Sequence, residues 1–139
     1  MNNSTNTLYP IFLKLEKLNV LIIGGGDAAS EKVRYMLKSS PEALITVVAE
    51  TVSDEINELA SKHQQLKIYQ RSFGSEDLSE KSIVIIATND NNFNRTVRDE
   101  VKSKGILVNV ADTPELCDFY LGSIVTKGDL KIAISTNGK

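Results

Sequence analysis

The stretch Asn19–Ala29, NVLIIGGGDAA, is an apolar run that ends in three consecutive glycines. Val20–Ile23 is apolar at every position, which is typical of a strand at the centre of a parallel sheet. Gly24, Gly26 and Ala29 match the pattern G-x-G-x-x-G/A, which combines a tight turn, close approach of the backbone to a pyrophosphate, and close helix packing. A helix that starts directly after the glycines would direct free N–H groups at the phosphates. The stretch therefore predicts a dinucleotide-binding loop, and the alternative is a plain strand with a glycine-rich turn.

Strands and helices are predicted to alternate from Asn19 to Val110. The predicted strands cover residues 20–23, 44–49, 67–71, 83–87 and 106–110, and the predicted helices begin near residues 27, 53 and 92. The helical segments carry apolar residues three and four apart, whereas the strands are short and rich in β-branched residues. Such alternation is typical of an α/β fold, here a Rossmann-like doubly wound parallel sheet with helices on both faces.

The pattern changes near residues 112–114. Two apolar segments, 122–126 and 130–135, flank Lys127-Gly128-Asp129 and predict a β-hairpin rather than another strand–helix unit. We therefore divide the chain into a Rossmann-like domain at 1–112 and a second region at 113–139. Because no later element covers the hairpin, we expect a truncated chain, a second subunit, or both.

The composition excludes several classes of function. The chain has 139 residues, of which 41% are hydrophobic and 24% charged, and this suits one globular domain with its own core. The net charge of −2 predicts neither a nucleic-acid nor a membrane partner. The lone Cys117 and a start unlike a signal peptide predict a reduced, cytoplasmic protein. No spacing of Cys and His predicts a metal site.

The residues that follow the strands are the candidate site, because ligands of doubly wound sheets bind beyond the carboxyl ends of the strands. These residues are Gly24, Gly25, Gly26 and Asp27; Glu50 and Thr51; Thr88, Asn89 and Asp90; and Ala111, Asp112 and Thr113. Parallel strands end at one edge of the sheet, so all four groups are predicted to line one crevice.

Glu50 is the predicted determinant of cofactor choice. It follows the second strand, about 20 residues after the glycine motif, where a carboxylate binds the ribose hydroxyls and repels a 2′-phosphate. No arginine stands beside it in the sequence, so NAD is favoured over NADP. The alternative is a solvated loop acid. Thr88 and Asn89 are predicted to contact the nicotinamide, with capping of the following helix as the alternative.

Asp112 is the best catalytic candidate. It follows an apolar strand at the edge of the predicted crevice, where a carboxylate could accept a proton. The alternative is a plain turn aspartate before Thr113-Pro114. Asp118 is placed less well, His63 lies in a polar segment, and Cys117 is predicted to pack rather than to act as a nucleophile.

Four segments resemble one known family. They are YPIFLKLEKLNVLIIGGGDAASEK, ATNDNNFN, NVADTPELCDF and GSIVTKGDLKIAISTNGK, and the resemblance runs in order from Leu8 to Lys139. The chain resembles the NAD-dependent precorrin-2 dehydrogenases, which include the amino-terminal part of bacterial siroheme synthase. The resemblance implies oxidation of precorrin-2 to sirohydrochlorin with NAD as hydride acceptor. Some members also insert ferrous iron, so iron is implied as a further substrate.

The resemblance also implies roles for particular residues. The catalytic aspartate of the family falls on Asp112, and a tail serine that is phosphorylated in some members falls on Thr136, which keeps a hydroxyl. The family's dinucleotide contacts fall on Asp27, Ala28, Glu50 and Thr51. Members of the family are longer and dimerise through the region that begins with the hairpin, so residues 113–139 would start a dimerisation and substrate region and the full-length protein would be a homodimer.

The substrate would rest between the strand ends and the hairpin, and Lys127, Lys131 and Lys139 are the candidate partners of its carboxylates. Two other functions remain as alternatives. One is a non-catalytic NAD-sensing regulatory domain, which shares the glycine loop and the acid but gives no reason for the segment after Asp112. The other is a ferrochelatase with vestigial NAD binding, against which the intact glycine loop and Glu50 argue.

Overall fold

The computed structural model describes residues 5–137, which form a parallel sheet flanked by helices and followed by a hairpin. The strands of the sheet are β1 Asn19–Ile23, β2 Leu44–Ala49, β3 Leu66–Gln70, β4 Ile83–Ile86 and β5 Leu107–Val110. The helices are α1 Asp27–Ser39, α2 Asp54–Lys62 and α3 Asn91–Ser103. The hairpin strands are β6 Ser123–Lys127 and β7 Leu130–Ile134, and short 3₁₀ turns lie at Leu15–Lys17, Ser75–Leu78 and Pro114–Leu116.

The sheet has the order β3-β2-β1-β4-β5, and every neighbouring pair of strands is parallel. β1 is the central strand, since Val20 pairs with Ile45 of β2 on one side and with Ile83 of β4 on the other. The strand order reverses at β1, and this switch point is where doubly wound sheets bind their ligands. The predicted Rossmann-like α/β fold is therefore confirmed, and the glycine loop leaves the sheet at that switch point.

Both faces of the sheet are covered, which explains the unbroken apolar run in β1. Val20 and Ile22 lie in one core cluster with residues of α1 and α2, whereas Leu21 and Ile23 lie in a second cluster with residues of α3. All four side chains are at most 2% exposed. Two-sided burial of this kind is the usual environment of parallel strands, and it holds the strand ends in fixed relative positions.

The connection from β3 to β4 crosses from one edge of the sheet to its middle and contains no regular helix. Its 3₁₀ turn buries Leu78, which is 2% exposed, in the core cluster on the face that α3 covers. Phe73 packs edge-on against Phe93 of α3, with ring centroids 6.3 Å apart. The crossover is thus anchored at two points, and the segment between β3 and the turn is held against the carboxyl end of the sheet.

The hairpin forms a separate two-stranded antiparallel sheet with Gly128 at its turn (φ 58°). Every residue of β6 and β7 is exposed, and the exposed apolar side chains are Ile124, Val125, Leu130, Ile132 and Ile134. The hairpin contacts the rest of the chain through Lys131, among others: its ammonium group donates to the carbonyl oxygen of Ser39 at 3.2 Å.

No helix within residues 5–137 is both long and apolar enough to cross a bilayer.

Candidate cofactor and substrate site

The three glycines after β1 have different structural roles. Gly24 and Gly25 are buried, and a β-carbon on either would clash with a backbone carbonyl oxygen, that of Ala87 or of Thr51 respectively. Gly24 also has a φ of 128°, which L side chains rarely adopt. Gly26 is exposed, and a β-carbon there would meet no atom within 4 Å. The first two glycines are therefore needed for packing, whereas the space beside the backbone of the third glycine is open.

The amino terminus of α1 is exposed and carries no cap. Among the described residues no side chain accepts a hydrogen bond from its first turn, where Gly26 is the N-cap residue. The other two helices are capped, because Ser53 accepts from the Ile56 N–H at 3.2 Å and Asp90 accepts from the Phe93 N–H at 3.0 Å. Unpaired N–H groups at a helix start attract anions such as phosphate. The arrangement fits a pyrophosphate beside Gly26, as the glycine motif predicts.

Two serines tie the glycine loop to the segment after β2. The Ser30 hydroxyl hydrogen-bonds the carbonyl oxygen of Gly26 at 2.8 Å and the Ser53 hydroxyl at 2.7 Å. The Ser53 N–H donates to the carbonyl oxygen of Gly25 at 2.8 Å. Ser53 stands where the sequence predicts the start of the second helix, but nothing in the local pattern singled out Ser30, which is 3% exposed. These bonds hold the phosphate and ribose ends of the predicted site together.

Glu50 is exposed at the carboxyl end of β2, and Thr51 beside it is also exposed. The Ser72 hydroxyl donates to Oε1 of Glu50 at 2.6 Å. The sequence shows no arginine next to Glu50, but Ala49 pairs with Gln70, the last residue of β3, so Arg71 stands at the start of the loop whose Ser72 meets Glu50. The sequence by itself could not show this neighbour, because strand pairing joins residues that lie far apart along the chain.

Arg71 is held by a carboxylate. Its guanidinium donates to both oxygens of Asp77, at 2.7 and 2.9 Å, and to the carbonyl oxygen of Ser72 at 3.1 Å. The Gly74 N–H also donates to Asp77, at 2.9 Å. The Arg71 guanidinium holds the pKa of the Asp77 carboxyl below its usual value, and the Gly74 N–H acts in the same direction. The charge of Arg71 is thus engaged inside the loop that carries Ser72.

Thr88 and Asn89 follow β4, but their surroundings differ. The Thr88 hydroxyl donates to the side-chain oxygen of Asn94, and it accepts from the Asp90 N–H at 3.2 Å. The Asn94 amide donates to the Thr88 carbonyl oxygen at 3.0 Å. These contacts favour the local capping role for Thr88, whereas Asn89 is exposed. Asn94, which is 3% exposed, is a residue that the sequence pattern did not single out.

Asp112 is an exposed residue in the left-handed region, with a φ of 59°. It lies in a turn closed by the Thr113 N–H, which donates to the Val110 carbonyl oxygen at 3.1 Å. Within the described part of the chain its carboxylate makes neither a hydrogen bond nor an ion pair. Aspartate tolerates this conformation better than most residues, and such backbone outliers cluster at functional sites. Asp112 is therefore a turn residue whose side chain is free to meet a ligand.

Two cavities meet at Ala111–Thr113. The first, of about 340 Å³, lies between Lys32 of α1, this turn and the base of the hairpin at Ser123 and Ile134. The second, of about 530 Å³, lies over the start of α3 and is lined by a polar set: Thr88, Asn89, Asn91, Asn94 and Arg95. Two of the four predicted strand-end groups thus share a cavity. The glycine loop, Glu50 and Thr51 line neither cavity; Gly24 packs against Ala87, which precedes Thr88, and Gly25 packs against Thr51.

The basic side chains at the cavities are not the predicted ones. Lys32 lines the first cavity and Arg95 the second. Lys131 instead binds Ser39 and the hydroxyl of Thr126 (3.2 Å), and it lines neither cavity. Lys127 lies at the hairpin turn, outside the lining of both cavities. Lys139 lies outside the described residues.

Cys117 closes the turn that carries Asp112. Its thiol accepts from the Val110 N–H at 3.1 Å and donates to the carbonyl oxygens of Val110 and Thr113 at 3.3 and 3.4 Å. Burial raises the pKa of the Cys117 thiol, which favours the neutral form. These contacts fit the predicted packing role of Cys117.

Within residues 5–137, no group of three or more His, Cys, Asp and Glu residues could hold a metal ion.

The chain is similar to several known proteins. The chain is 39% identical over 130 residues to the siroheme synthase of Pseudoalteromonas atlantica, which covers 94% of this chain but 28% of the relative. It is 38% identical over 131 residues to the siroheme synthase of Psychrobacter cryohalolentis, covering 94% and 24%. The solved structure of SirC, precorrin-2 dehydrogenase, matches with a TM-score of 0.78 and 36% identity, over 94% of this chain and 62% of that one.

The chain therefore spans about a quarter of the length of these siroheme synthases, from 24% to 28%. A family model described as NAD(P)-binding matches residues 11–123, which include β1 to β5, the glycine loop and the Asp112 turn. The match and the SirC neighbour together support a nicotinamide cofactor. Because the model covers most of the chain, this protein belongs to the NAD(P)-binding family.

Proposed function

We propose that this chain is the cofactor-binding part of an enzyme that oxidises precorrin-2 to sirohydrochlorin with NAD. The observation that carries the proposal is the unpaired carboxylate of Asp112 on a left-handed turn where two cavities meet. The similarity to siroheme synthases and to SirC supports the choice of substrate. Both relatives are longer than the matched region, and the activity is proposed for the full-length protein.

The cofactor would be held by the residues that follow β1, β2 and β4. The first-turn N–H groups of α1, at Asp27 and Ala28, would bind the pyrophosphate over Gly26, where the backbone is open. Glu50 and Thr51 would hold the adenine-side ribose, and Asn89 would face the nicotinamide. When bound, the nicotinamide supplies the hydride acceptor. The protein supplies position, because the glycine loop and the Asp112 turn extend from strands of one sheet.

NAD rather than NADP is the proposed cofactor. The Glu50 carboxylate can accept hydrogen bonds from both ribose hydroxyls and would repel a 2′-phosphate. Arg71 directly follows the adjacent strand, but its guanidinium is paired with Asp77 at 2.7 and 2.9 Å. The charge that faces the ribose is therefore that of Glu50, which Ser72 orients at 2.6 Å.

Asp112 is the proposed proton acceptor. Oxidation of precorrin-2 by two electrons removes a hydride and a proton, so a base beside the nicotinamide is required. A free, solvated carboxylate can take that proton and pass it to water. Lys32 and Arg95, which line the cavities on either side of this turn, are placed to bind carboxylates of a polyanionic tetrapyrrole. The same Asp112 carboxylate could accept pyrrole protons if ferrous iron is a second substrate.

A homodimer is part of the proposal. Four of the exposed apolar side chains, Val125, Leu130, Ile132 and Ile134, lie on one face of the hairpin, which a monomer would leave in water. The base of the same hairpin lines the first cavity, so a partner subunit on this face would lie next to the substrate. A cytoplasmic location is proposed from the lone cysteine, as in the sequence argument.

The test is a coupled assay on the full-length protein. Precorrin-2 and NAD are mixed with the enzyme, and NADH formation and the tetrapyrrole absorbance are followed together, with and without ferrous iron. We expect NADH and sirohydrochlorin to form in equal amounts. Binding of NAD without conversion of precorrin-2 would contradict the proposal and favour a NAD-sensing domain. Iron insertion without NADH formation would favour a ferrochelatase.

A further inference from the structure

We infer that the loop from Arg71 to Asp77 sets cofactor specificity by keeping Arg71 away from the ribose while it orients Glu50. The inference rests on the proposed binding of NAD with its ribose at Glu50. It assigns a positioning role to Ser72 and Asp77, which are outside the predicted site. It also explains why an arginine beside the ribose position need not select NADP.

The geometry of the loop supports this assignment. Gln70 pairs with Ala49, so the chain leaves β3 directly beside Glu50. Ser72 then donates to Glu50 at 2.6 Å, whereas the Arg71 guanidinium turns back to Asp77 and lies 5.4 Å from the centre of the Tyr69 ring. The loop therefore directs the Ser72 hydroxyl at Glu50 and directs the Arg71 guanidinium at Asp77.

The ion pair between Arg71 and Asp77 has a better defined geometry than an ordinary surface ion pair. Two guanidinium nitrogens of Arg71 each donate to one carboxylate oxygen of Asp77, and the Asp77 side chain is only 8% exposed. The Gly74 N–H binds the same carboxylate at 2.9 Å, and Phe73 is anchored on Phe93. Bidentate pairs of this kind fix the orientation of an arginine. Asp77 therefore fixes the guanidinium of Arg71, and the contacts of Gly74 and Phe73 fix the loop between them.

Release of Arg71 would change the chemistry at the ribose position. A free guanidinium is a strong ligand for phosphate and could reach across from β3 to a 2′-phosphate beside Glu50. Glu50 itself would remain and would continue to bind the NAD ribose. Loss of the pairing is thus expected to raise NADP affinity without removing NAD affinity, a pattern that a general loss of folding could not produce.

The experiment measures the affinities of the full-length protein for NAD and NADP by calorimetric titration. Asp77→Asn keeps an oxygen for the Gly74 N–H but removes the charge that holds Arg71. We expect NADP to bind about tenfold more tightly, which is about 1.4 kcal/mol, and NAD affinity to change less than about twofold. In the double variant Asp77→Asn/Arg71→Met the gain should disappear, because the arginine that causes it is gone.

Asp118→Asn is the matched control. Asp118 also pairs with a cation, Lys102, at 2.8 Å and accepts a backbone N–H, that of Val108, at 3.0 Å. It does so beside β5, at the opposite edge of the sheet from β3. This variant should leave the ratio of the two affinities unchanged. A change equal to that of Asp77→Asn would overturn the inference, because it would reflect general loosening of the fold.

Two further variants keep the outcome decisive. Ser72→Ala, at an exposed position, should weaken NAD about fivefold by freeing Glu50, and unchanged NAD affinity would overturn the inference even if Asp77→Asn failed to fold. Glu50→Gln separates the inference from the proposed function. If it weakens NAD while Asp77→Asn leaves NADP affinity unchanged, the inference alone fails. If Glu50→Gln alters neither affinity, the ribose assignment fails and the inference fails with it.

Discussion

Replacing Gly26 by valine separates the cofactor-binding role of the glycine loop from its structural role. Gly26 is exposed, its φ of −93° and ψ of −153° are extended, and a β-carbon there would meet no atom within 4 Å. Valine therefore fits the folded chain. Its branched side chain would, however, fill the space in which a pyrophosphate approaches the first turn of α1.

The expected loss of affinity is large and the loss of stability small. A hydrogen bond from a backbone N–H to a charged group contributes about 1.5–3 kcal/mol. Loss of two of them costs at least about 3 kcal/mol, or more than about a hundredfold in Kd. Valine is a poorer N-cap residue than glycine, so the free energy of unfolding should fall by about 1 kcal/mol. For a domain of this size that lowers the Tm by about 4 °C.

Gly25→Ala is the contrasting variant. Its β-carbon would clash with the carbonyl oxygen of Thr51 and lie 2.9 Å from the β-carbon of Ala49, so backbone must move. We expect a loss of about 1–3 kcal/mol in stability. The two variants are compared by thermal unfolding, followed by circular dichroism, and by calorimetric titration with NAD. A folded Gly26→Val protein with normal NAD affinity would refute the assignment of the loop, and an unaltered Tm in Gly25→Ala would refute its close packing.

The remaining predictions concern catalysis, cofactor choice, assembly and pH. Asp112→Ala in the full-length protein should lower turnover per folded molecule at least about a hundredfold with little change in NAD affinity, and near-normal turnover would remove Asp112 from the mechanism. NAD should bind more tightly than NADP in a calorimetric titration, and the reverse order would contradict the role of Glu50. Light scattering on the full-length protein should give a dimer, and a stable monomer at micromolar concentration would contradict the hairpin interface. Arg71 lowers the pKa of Asp77, so its ion pair stabilises the fold fully above the unfolded value of 3.8 and less as the pH falls through the lowered folded value. The stability deficit of Asp77→Asn in denaturant unfolding should therefore be largest near neutral pH and shrink in acid, and a deficit independent of pH would contradict the pairing.

Local sequence determined the fold class and the core. The β1 run is apolar at successive positions because both faces of the strand are buried, and the helices repeat their apolar residues because one face of each packs on the sheet. These patterns arise from neighbours in the chain, so they can be recognised without tertiary contacts. The positive φ of Gly24 is of the same kind, since it acts within one short turn, whereas the close approach of Gly24 to Ala87 is a tertiary contact.

The site residues were predictable to the extent that they follow strands. The ends of parallel strands share one edge of a sheet, which placed Glu50, Thr88 and Asp112 in the same region before any distances were known. The sequence left open whether each side chain is free or engaged. The structure shows that the Thr88 hydroxyl is used locally by Asn94, whereas Asp112 makes no hydrogen bond or ion pair with residues 5–137.

Tertiary structure alone decided which residues surround the site. Ser72 meets Glu50, and Ser30 meets Ser53, only because the strand order β3-β2-β1 and the packing of α1 bring together segments more than twenty residues apart. Lys32 likewise faces the Asp112 turn across a cavity. Polar contacts of this kind leave no periodic trace in the chain, because a single hydroxyl or ammonium group satisfies them. Apolar burial, in contrast, repeats along every element and can be read from the sequence.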